Sequence, residues 1–375
     1  MLGTDSTSPQ RYVLQRACRW VSLGAFHFTG TPRVELSNAA GDGTADEDIA
    51  WGAVAFQPLP GKPADSIVAM GDPYSSGEGA SAPGGGDFYP ETDHYDKNSD
   101  NAWDSCHRST LAWSRQAVLP GESVFIGTMA DALDPKMDYQ FVACSGARTF
   151  NMLRDGQNSE VAQTDAGYLD NNTTRVTLSV GGNDARFTDV FMQCALKAGL
   201  DLCQDTAIGN KDPDTGKDAS GDTGPLKDWA PKWLHEQVRP RIANVLSEIH
   251  KRAPQARIIL MGYPQLLSAG GQCVPGIGTE EAPWLNSVAD TLDEEMKGAA
   301  ADAGTQSGAN VVFADPRDEF EGKAVRGDPE DVHGIVKTGL SQADKTGLLE
   351  VGMASFHPKI AGARLYANVL ERALR

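Results

Sequence analysis

The chain has no run of about 18 consecutive apolar residues, the length a helix needs to cross the hydrocarbon core of a bilayer. It has no Cys-x-x-Cys pair, so the usual zinc-ligand spacing is missing and no metal is expected. It is short of positive charge: 33 Lys and Arg stand against 51 Asp and Glu, for a net charge of −18. A surface of that sign repels phosphates, which argues against a nucleic-acid partner. The first ten residues, Met1 to Gln10, are polar and lack the apolar segment of a secretory signal. Together with the cysteines, that favours reading the chain as a piece of something longer.

What is present is a 375-residue chain, 40% hydrophobic, enough for a sizeable core. Its six cysteines are Cys18, Cys106, Cys144, Cys194, Cys203 and Cys273. They suit an oxidising compartment, and their spacing alone does not choose among the pairings open to them.

Residues 1–60 read as β-rich. Trp20 to Phe28, Arg33 to Leu36 and Ile49 to Phe56 are short runs with β-branched and aromatic residues, separated by Gly-Thr-Pro and Gly-Asp-Gly-Thr turns. Three such strands do not easily bury a core alone. They would dock on the main domain or form the tail of a truncated sandwich. The segment resembles the C-terminal strands of golvesin-like β-sandwich domains found on some secreted bacterial proteins. Pro58, Pro60, Gly61 and Pro63 then form a linker.

From residue 64 onward, strands and helices alternate. Strands are predicted at Ile67 to Met70, Asp138 to Ala143, Arg175 to Val180, Ala256 to Met261 and Asn310 to Ala314. Helices are predicted over 227–252, where Trp233, Val238, Ile242, Val245, Leu246 and Ile249 recur at helical spacing, and over 283–304 and 358–374. The alternation implies a three-layer α/β/α domain over 64–375, with a parallel sheet and its site beyond the carboxyl ends of the strands. Ala80 to Asp104 and Asn210 to Gly224 read as loops. The second is acidic and Gly-rich, lacks the closing Glu of an EF-hand, and is read as solvated rather than calcium-binding.

The strand ends carry Gly71-Asp72-Pro73, Cys144-Ser145-Gly146-Ala147, Gly181-Gly182-Asn183-Asp184 and Gly262-Tyr263-Pro264, and Phe356-His357-Pro358 precedes the last helix. In a parallel sheet these turns converge, bringing a glycine amide, an asparagine side chain and a histidine together. Those are the oxyanion donors and general base of acyl transfer, to which a nucleophile must be added.

The stretch Gly71-Asp72-x-Tyr74-Ser75-Ser76-Gly77-Glu78-Gly79, with Cys144-Ser145-Gly146, Gly181-Gly182-Asn183-Asp184 and Phe356-His357-Pro358, resembles the four blocks of SGNH hydrolases (GDSL esterases and lipases). The order fits their secreted actinobacterial-type branch, and the resemblance covers 64–375. It implies ester hydrolysis through an acyl-serine, with a small-molecule ester, lipid or acylated glycan as ligand, no cofactor and an extracellular location. It makes Gly146 and Asn183 the oxyanion donors, His357 the base, and Gly71 and Asp72 structural at the site. It also implies disulfides Cys106–Cys144 and Cys194–Cys203, and leaves Cys18 and Cys273 unassigned.

The chain departs from that pattern where the nucleophilic serine should stand, because the residue there is Pro73. Proline supplies neither a hydroxyl nor an N–H. The triad aspartate, three residues before the histidine, is Ala354; some members of the branch orient the histidine with a backbone carbonyl instead. If a helical turn starts at Pro73, Ser75 points roughly 200° away and Ser76 lies nearer the same face but about 5 Å along the axis. Catalysis tolerates misplacement of about 1 Å. Ser76 is thus the candidate substitute nucleophile, while the preferred reading of both serines is a capped helix start. Asp72 is expected to bond nearby backbone, Asp184 to cap, and His107 and His333 to be structural. The expectation is an SGNH-type ester hydrolase impaired at Pro73. The alternatives are a non-catalytic secreted binding module for an acyl or glycan ligand, an esterase using Ser76, and an adhesive module working through 1–60.

Overall fold

In the computed structural model the described residues are 11, 20–35, 53–93, 104–196, 202–268, 277–336 and 352–375. Five strands form one parallel sheet: β1 (Asp65–Ala69), β2 (Met137–Phe141), β3 (Arg175–Leu178), β6 (Arg257–Met261) and β7 (Asn310–Ala314). Their order across the sheet is β2-β1-β3-β6-β7. The central segments, Ile67-Val68-Ala69 and Ile258-Ile259-Leu260-Met261, are buried on both faces, as expected where helices cover both sides of a parallel sheet.

Alternate side chains feed two cores. Ile67, Met137, Ile259 and Met261 face one core, closed by α2 (Trp113–Gln116), α3 (Ile126–Asp131) and α9 (Ile360–Ala373). Val68, Val176, Leu178, Ile258 and Leu260 face the other. There α7 (Arg239–Arg252) presents Ile242, Val245, Leu246 and Ile249, an i, i+3, i+4, i+7 stripe. It packs beside α8 (Glu281–Ser307). The helix expected over 227–252 is α6 (Leu226–Trp233) running through a π turn (Leu234–Val238) into α7.

Chain order along the sheet reverses between β1 and β3. The loops leaving these two strands therefore part to opposite faces and open a crevice at their carboxyl ends, the position where doubly wound sheets bind ligands. α1 (Pro73–Ser76) leaves β1 there, and α5 (Phe187–Leu196) leaves β3.

Two sequence expectations differ from the structure. Within the segment expected to be β-rich, the described residues 20–35 and 53–60 carry no strand, and the remaining residues lie outside those described. Ser22 Oγ bonds to Asp138 Oδ1 (3.1 Å) and the Ser22 carbonyl accepts from Gln140 Nε2 (3.4 Å). Side chains of edge strand β2, rather than its backbone ladder, hold this segment. The acidic loop 210–224 forms an exposed antiparallel hairpin, β4 (Gly209–Lys211) with β5 (Asp218–Asp222). Its turn is set by Asp212 Oδ1, which accepts from Asp214 N, Thr215 N and Thr215 Oγ1 (3.1, 2.7 and 2.8 Å). With no apolar alternation it gave no strand signal. Part of the loop at 80–104 lies outside the described residues, as do Cys18 and Cys273.

Leu178 is fully buried at the end of β3. Leu178→Ala is expected to lower the unfolding free energy by about 2–5 kcal/mol, read as a lower denaturant midpoint at unchanged m-value.

Candidate active site

Gly71 ends β1 with φ +117°, and a Cβ there would stand 2.3 Å from the Ser179 carbonyl. Only glycine lets β1 and β3 approach so closely. Gln163 grips the same residue twice: its Oε1 accepts from Gly71 N, and its Nε2 donates to Gly71 O (both 2.8 Å).

Asp72 is 1% exposed and is the N-cap of α1. Its Oδ1 accepts from Tyr74 N (3.1 Å) and Ser179 Oγ (2.6 Å), and its Oδ2 accepts from the Tyr263 hydroxyl. Tyr263 in turn accepts from Gly182 N (3.0 Å). Burial pushes the Asp72 carboxyl above its ordinary pKa, against the opposing pull of the bonds from Ser179, Tyr263 and the backbone.

Pro73 is the first residue of α1. A first-turn amide has no partner within its helix, and proline's fixed φ suits the position, so the fold accepts it readily. Its carbonyl accepts from Gly77 N (3.0 Å) and Glu78 N (3.1 Å). Ser76 is fully buried and donates to that same carbonyl (3.1 Å). Ser75 is buried too, with its hydroxyl 2.8 Å from Ser179 Oγ and accepting from Ser179 N (2.7 Å).

The loop after β2 is fixed to β1 by Cys144 N donating to Gly71 O (3.0 Å). Gly146 sits exposed at φ +77°, its N–H bonded to nothing among the described residues. Asn183 Nδ2 donates to Ala147 O (2.9 Å), which orients its amide beside that glycine and leaves one N–H over. Asp184 caps α4 (Thr149–Leu153), accepting from Thr149 N (3.0 Å) and Thr149 Oγ1 (2.5 Å). The disulfides Cys106–Cys144 and Cys194–Cys203 are both formed.

His357 is half-buried, its ring centroid 5.1 Å from that of Tyr74. The Tyr74 hydroxyl donates to Phe356 O (2.7 Å), gripping the peptide that leads into the histidine. Phe356 has φ +63°, rare for a bulky residue. It is held by its N–H to His333 O (3.1 Å) and by its ring against Phe191, centroids 3.7 Å apart. His357 N donates to the carbonyl of Ala354, which stands where the resemblance would put the triad aspartate (3.1 Å). Nδ1 of His357 is buried without a hydrogen-bond partner among the described residues. Burial holds its pKa below the usual histidine range, opposed chiefly by the Glu78 charge.

Glu78 is buried and pairs with His107 Nδ1 (2.7 Å). Burial alone would raise its pKa, but the bond and charge of His107 and the charge of His357 bring it below the ordinary value. Burial works against a charge on His107 as well; Asp93 and Glu78 overcome it and raise its pKa to about 10. His333 Nε2 lies 2.9 Å from Gly79 O. Each histidine thus ties the loop after α1 to a neighbouring segment.

The contacts run from Asp72 through Tyr263 to Gly182, beside Asn183, whose amide reaches Ala147 next to Gly146, and from Asp72 through Tyr74 to the peptide that leads into His357. Sequence reasoning gave no role to Tyr74, Gln163, Ser179 or Tyr263. Of these, Tyr74 carried a signal as a fixed position of the first block, and Tyr263 as the polar residue after Gly262 at a strand end.

Behind the Gly146 loop, Arg108 Nη1 donates to Ala143 O and Glu160 Oε2 (both 3.0 Å). Asp104, 1% exposed, accepts from Cys106 N (2.8 Å); its second oxygen meets no N–H donor among the described residues and faces the Glu160 carboxylate. Among the described residues, Asp104, Cys106 and Glu160 form the one cluster with metal-ligand atoms within 4.8 Å. Because Cys106 is in a disulfide and Glu160 is held by Arg108, the cluster offers a single free ligand oxygen.

Burial, then the Glu160 charge, pushes Asp104 up to about 7 from 3.8. The folded state therefore holds a proton that the unfolded chain releases near pH 4. The resulting stabilisation is full below that pH and is lost as pH rises through about 7. Asp104→Asn removes this dependence while keeping the acceptor for Cys106 N. Melts at pH 4.5 and pH 8 are expected to show the variant gaining on the wild type by on the order of 2–4 kcal/mol across that range. Parallel curves would contradict the assignment.

Comparison with known proteins identifies the family. Residues 119–365 match the model of the GDSL-like Lipase/Acylhydrolase family, a span that contains Gly146, Asn183 and His357 and starts beyond Pro73. A "Lipase" of Streptomyces rimosus is 28% identical over 265 residues, covering 70% of this chain and 77% of that one. "Lipase 1" of Streptomyces coelicolor is 27% identical over 311 residues, covering 83% and 87%. Phospholipase A1 from Streptomyces albidoflavus NA297 superposes with a TM-score of 0.54 at 25% identity, covering 82% of this chain and 98% of that one. An extracellular lipase from Streptomyces rimosus shares the fold, with a TM-score of 0.55 at 24% identity over 83% of this chain and 100% of its own. With its parallel five-stranded sheet and the strand-end blocks that converge on it, the chain belongs to the GDSL-like lipase/acylhydrolase family.

Proposed function

We propose that this chain is a disarmed acylhydrolase: it retains an oxyanion site and a base for an ester or lipid ligand, but does not hydrolyse that ligand through an acyl-serine. The observation that carries this reading is Pro73 at the first position of α1, beyond a strand end whose other residues are in place.

In the intact mechanism a serine oxygen attacks the ester carbonyl and its proton passes to the histidine. The carbonyl oxygen, now charged, is held by backbone and side-chain N–H groups, and the histidine returns the proton to the departing alcohol. Here Gly146 and Asn183 are read as the two remaining donors and His357 as the base. Pro73 removes the attacking oxygen and, having no N–H, a third donor. Loss of one such donor alone costs about 2.7–4 kcal/mol of transition-state stabilisation.

Ser76 does not replace the serine in this reading. Its hydroxyl is fully buried and bonded to the Pro73 carbonyl. Ser75 is equally committed to Ser179. An extracellular location is supported by two disulfides and by the extracellular lipase among the fold's relatives.

The test is turnover of p-nitrophenyl butyrate. Wild type is expected at the buffer background, and Pro73→Ser at least about 10²-fold above it, falling back when His357→Ala is added. Wild-type turnover at ordinary esterase rates that disappears in His357→Ala would refute the proposal.

A further inference from the structure

We infer that the ligand this site selects is the free carboxylate of an aliphatic acid rather than its ester, and that binding draws a proton onto His357. The inference rests on the reading of the site as disarmed.

Among the described residues, three groups keep hydrogen-bonding capacity that no neighbour takes up. The Gly146 N–H bonds to nothing among the described residues, and its φ of +77° leaves open space where a Cβ would stand, the nearest atom being Gln157 Nε2 at 3.9 Å. Asn183 spends one amide hydrogen on Ala147 O and keeps the other. The ring of His357 has its Nδ1 buried without a partner, so Nε2 is the nitrogen left to meet a ligand. In a working hydrolase the serine hydroxyl would stand between that nitrogen and the substrate; Pro73, at the nucleophile's position in the chain, has no hydroxyl to offer.

An ester cannot satisfy this set. Its carbonyl oxygen accepts in the oxyanion site, but its alkoxy oxygen is a poor acceptor for a histidine. A carboxylate brings two equivalent oxygens, one for the Gly146 and Asn183 donors and one for a protonated His357. Bonds in which both partners carry charge are roughly twice as strong as neutral ones. The residues next to these donors suit an alkyl tail: Phe187, four positions past Asn183, and Phe356, before His357, are both half-buried apolar rings.

The charged surroundings of His357 are consistent with a proton arriving only with the anion. Glu78 faces it from the loop after α1, and its charge is largely answered by His107, which Asp93 also neighbours. His333 opposes a charge from the segment it shares backbone bonds with. Tyr74 contributes a neutral ring from α1. The backbone of Met353 and Ser355 favours protonation of the ring, but not by enough to offset burial. The empty site therefore holds a neutral ring, and a bound carboxylate supplies the missing negative charge. The net charge of −18 slows the approach of any anion at low salt, an effect that physiological ionic strength screens.

Octanoate titrated into wild-type protein by calorimetry, in two buffers of different ionisation enthalpy at pH 7, reads both affinity and proton uptake. The expected result is uptake approaching one proton, with affinity falling roughly tenfold per pH unit above neutrality. Octanol and ethyl octanoate are expected to bind wild type at least about tenfold more weakly. His357→Gln should abolish proton uptake, and Asn183→Ala should weaken octanoate by about tenfold. Undetectable octanoate binding, equal binding of ethyl octanoate, or binding without proton uptake would each overturn the inference on unmutated protein. Hydrolysis of ethyl octanoate by wild type would instead sink the disarmed reading, whatever octanoate does.

Discussion

The buried carboxyl of Asp72 is the constraint on which the rest of the site depends. A carboxyl group taken out of water must find partners for its oxygens. Here those partners come from three elements: the amide of Tyr74 in α1, the hydroxyl of Ser179 at the end of β3, and the hydroxyl of Tyr263 at the end of β6. Through Tyr263 the network reaches Gly182, next to Asn183. One side chain thus sets the spacing of three strand ends and the direction in which α1 departs. Nothing in that network passes through the side chain of residue 73. Proline can occupy the position while the surrounding scaffold stays in register.

The difference in legibility between parts of the molecule follows from the range of the interactions that form them. The five sheet strands were readable because each is a short apolar or β-branched run between turn signals, the central ones buried on both faces, and the long helices because their apolar residues recur along one side. The site blocks were readable because turns at parallel strand ends must converge. Partners in the Asp72 network lie far apart in the chain: Ser179 and Tyr263 are 107 and 191 positions away. No local pattern announces such a bond. The hairpin at β4 and β5 was missed for a different reason, since its strands are solvated and held by an Asp212 turn rather than by an apolar face. Segment 20–35 shows the opposite error. Its β-branched and aromatic residues suggested strands, yet its polar atoms are spent on side chains of β2.

The placement of His357 has a packing explanation that does not require catalysis. The residue before it adopts a left-handed backbone, a conformation that costs on the order of 1–3 kcal/mol and persists only where surrounding contacts over-determine it. Tyr74, His333 and Phe191 do so from three directions. The same contacts seat the start of α9 against α1: Gly79 lies so close to this turn that a Cβ would meet the Pro358 carbonyl at 2.6 Å. The histidine is therefore held in position by groups that join the last helix to the first. Its geometry would survive the loss of the nucleophile, just as the Asp72 network does. In the proposed reading, the departure that matters most is Pro73, where a hydroxyl and an N–H are both replaced by the carbons of a proline ring, whereas the loss of the triad aspartate at Ala354 leaves the turn around His357 intact.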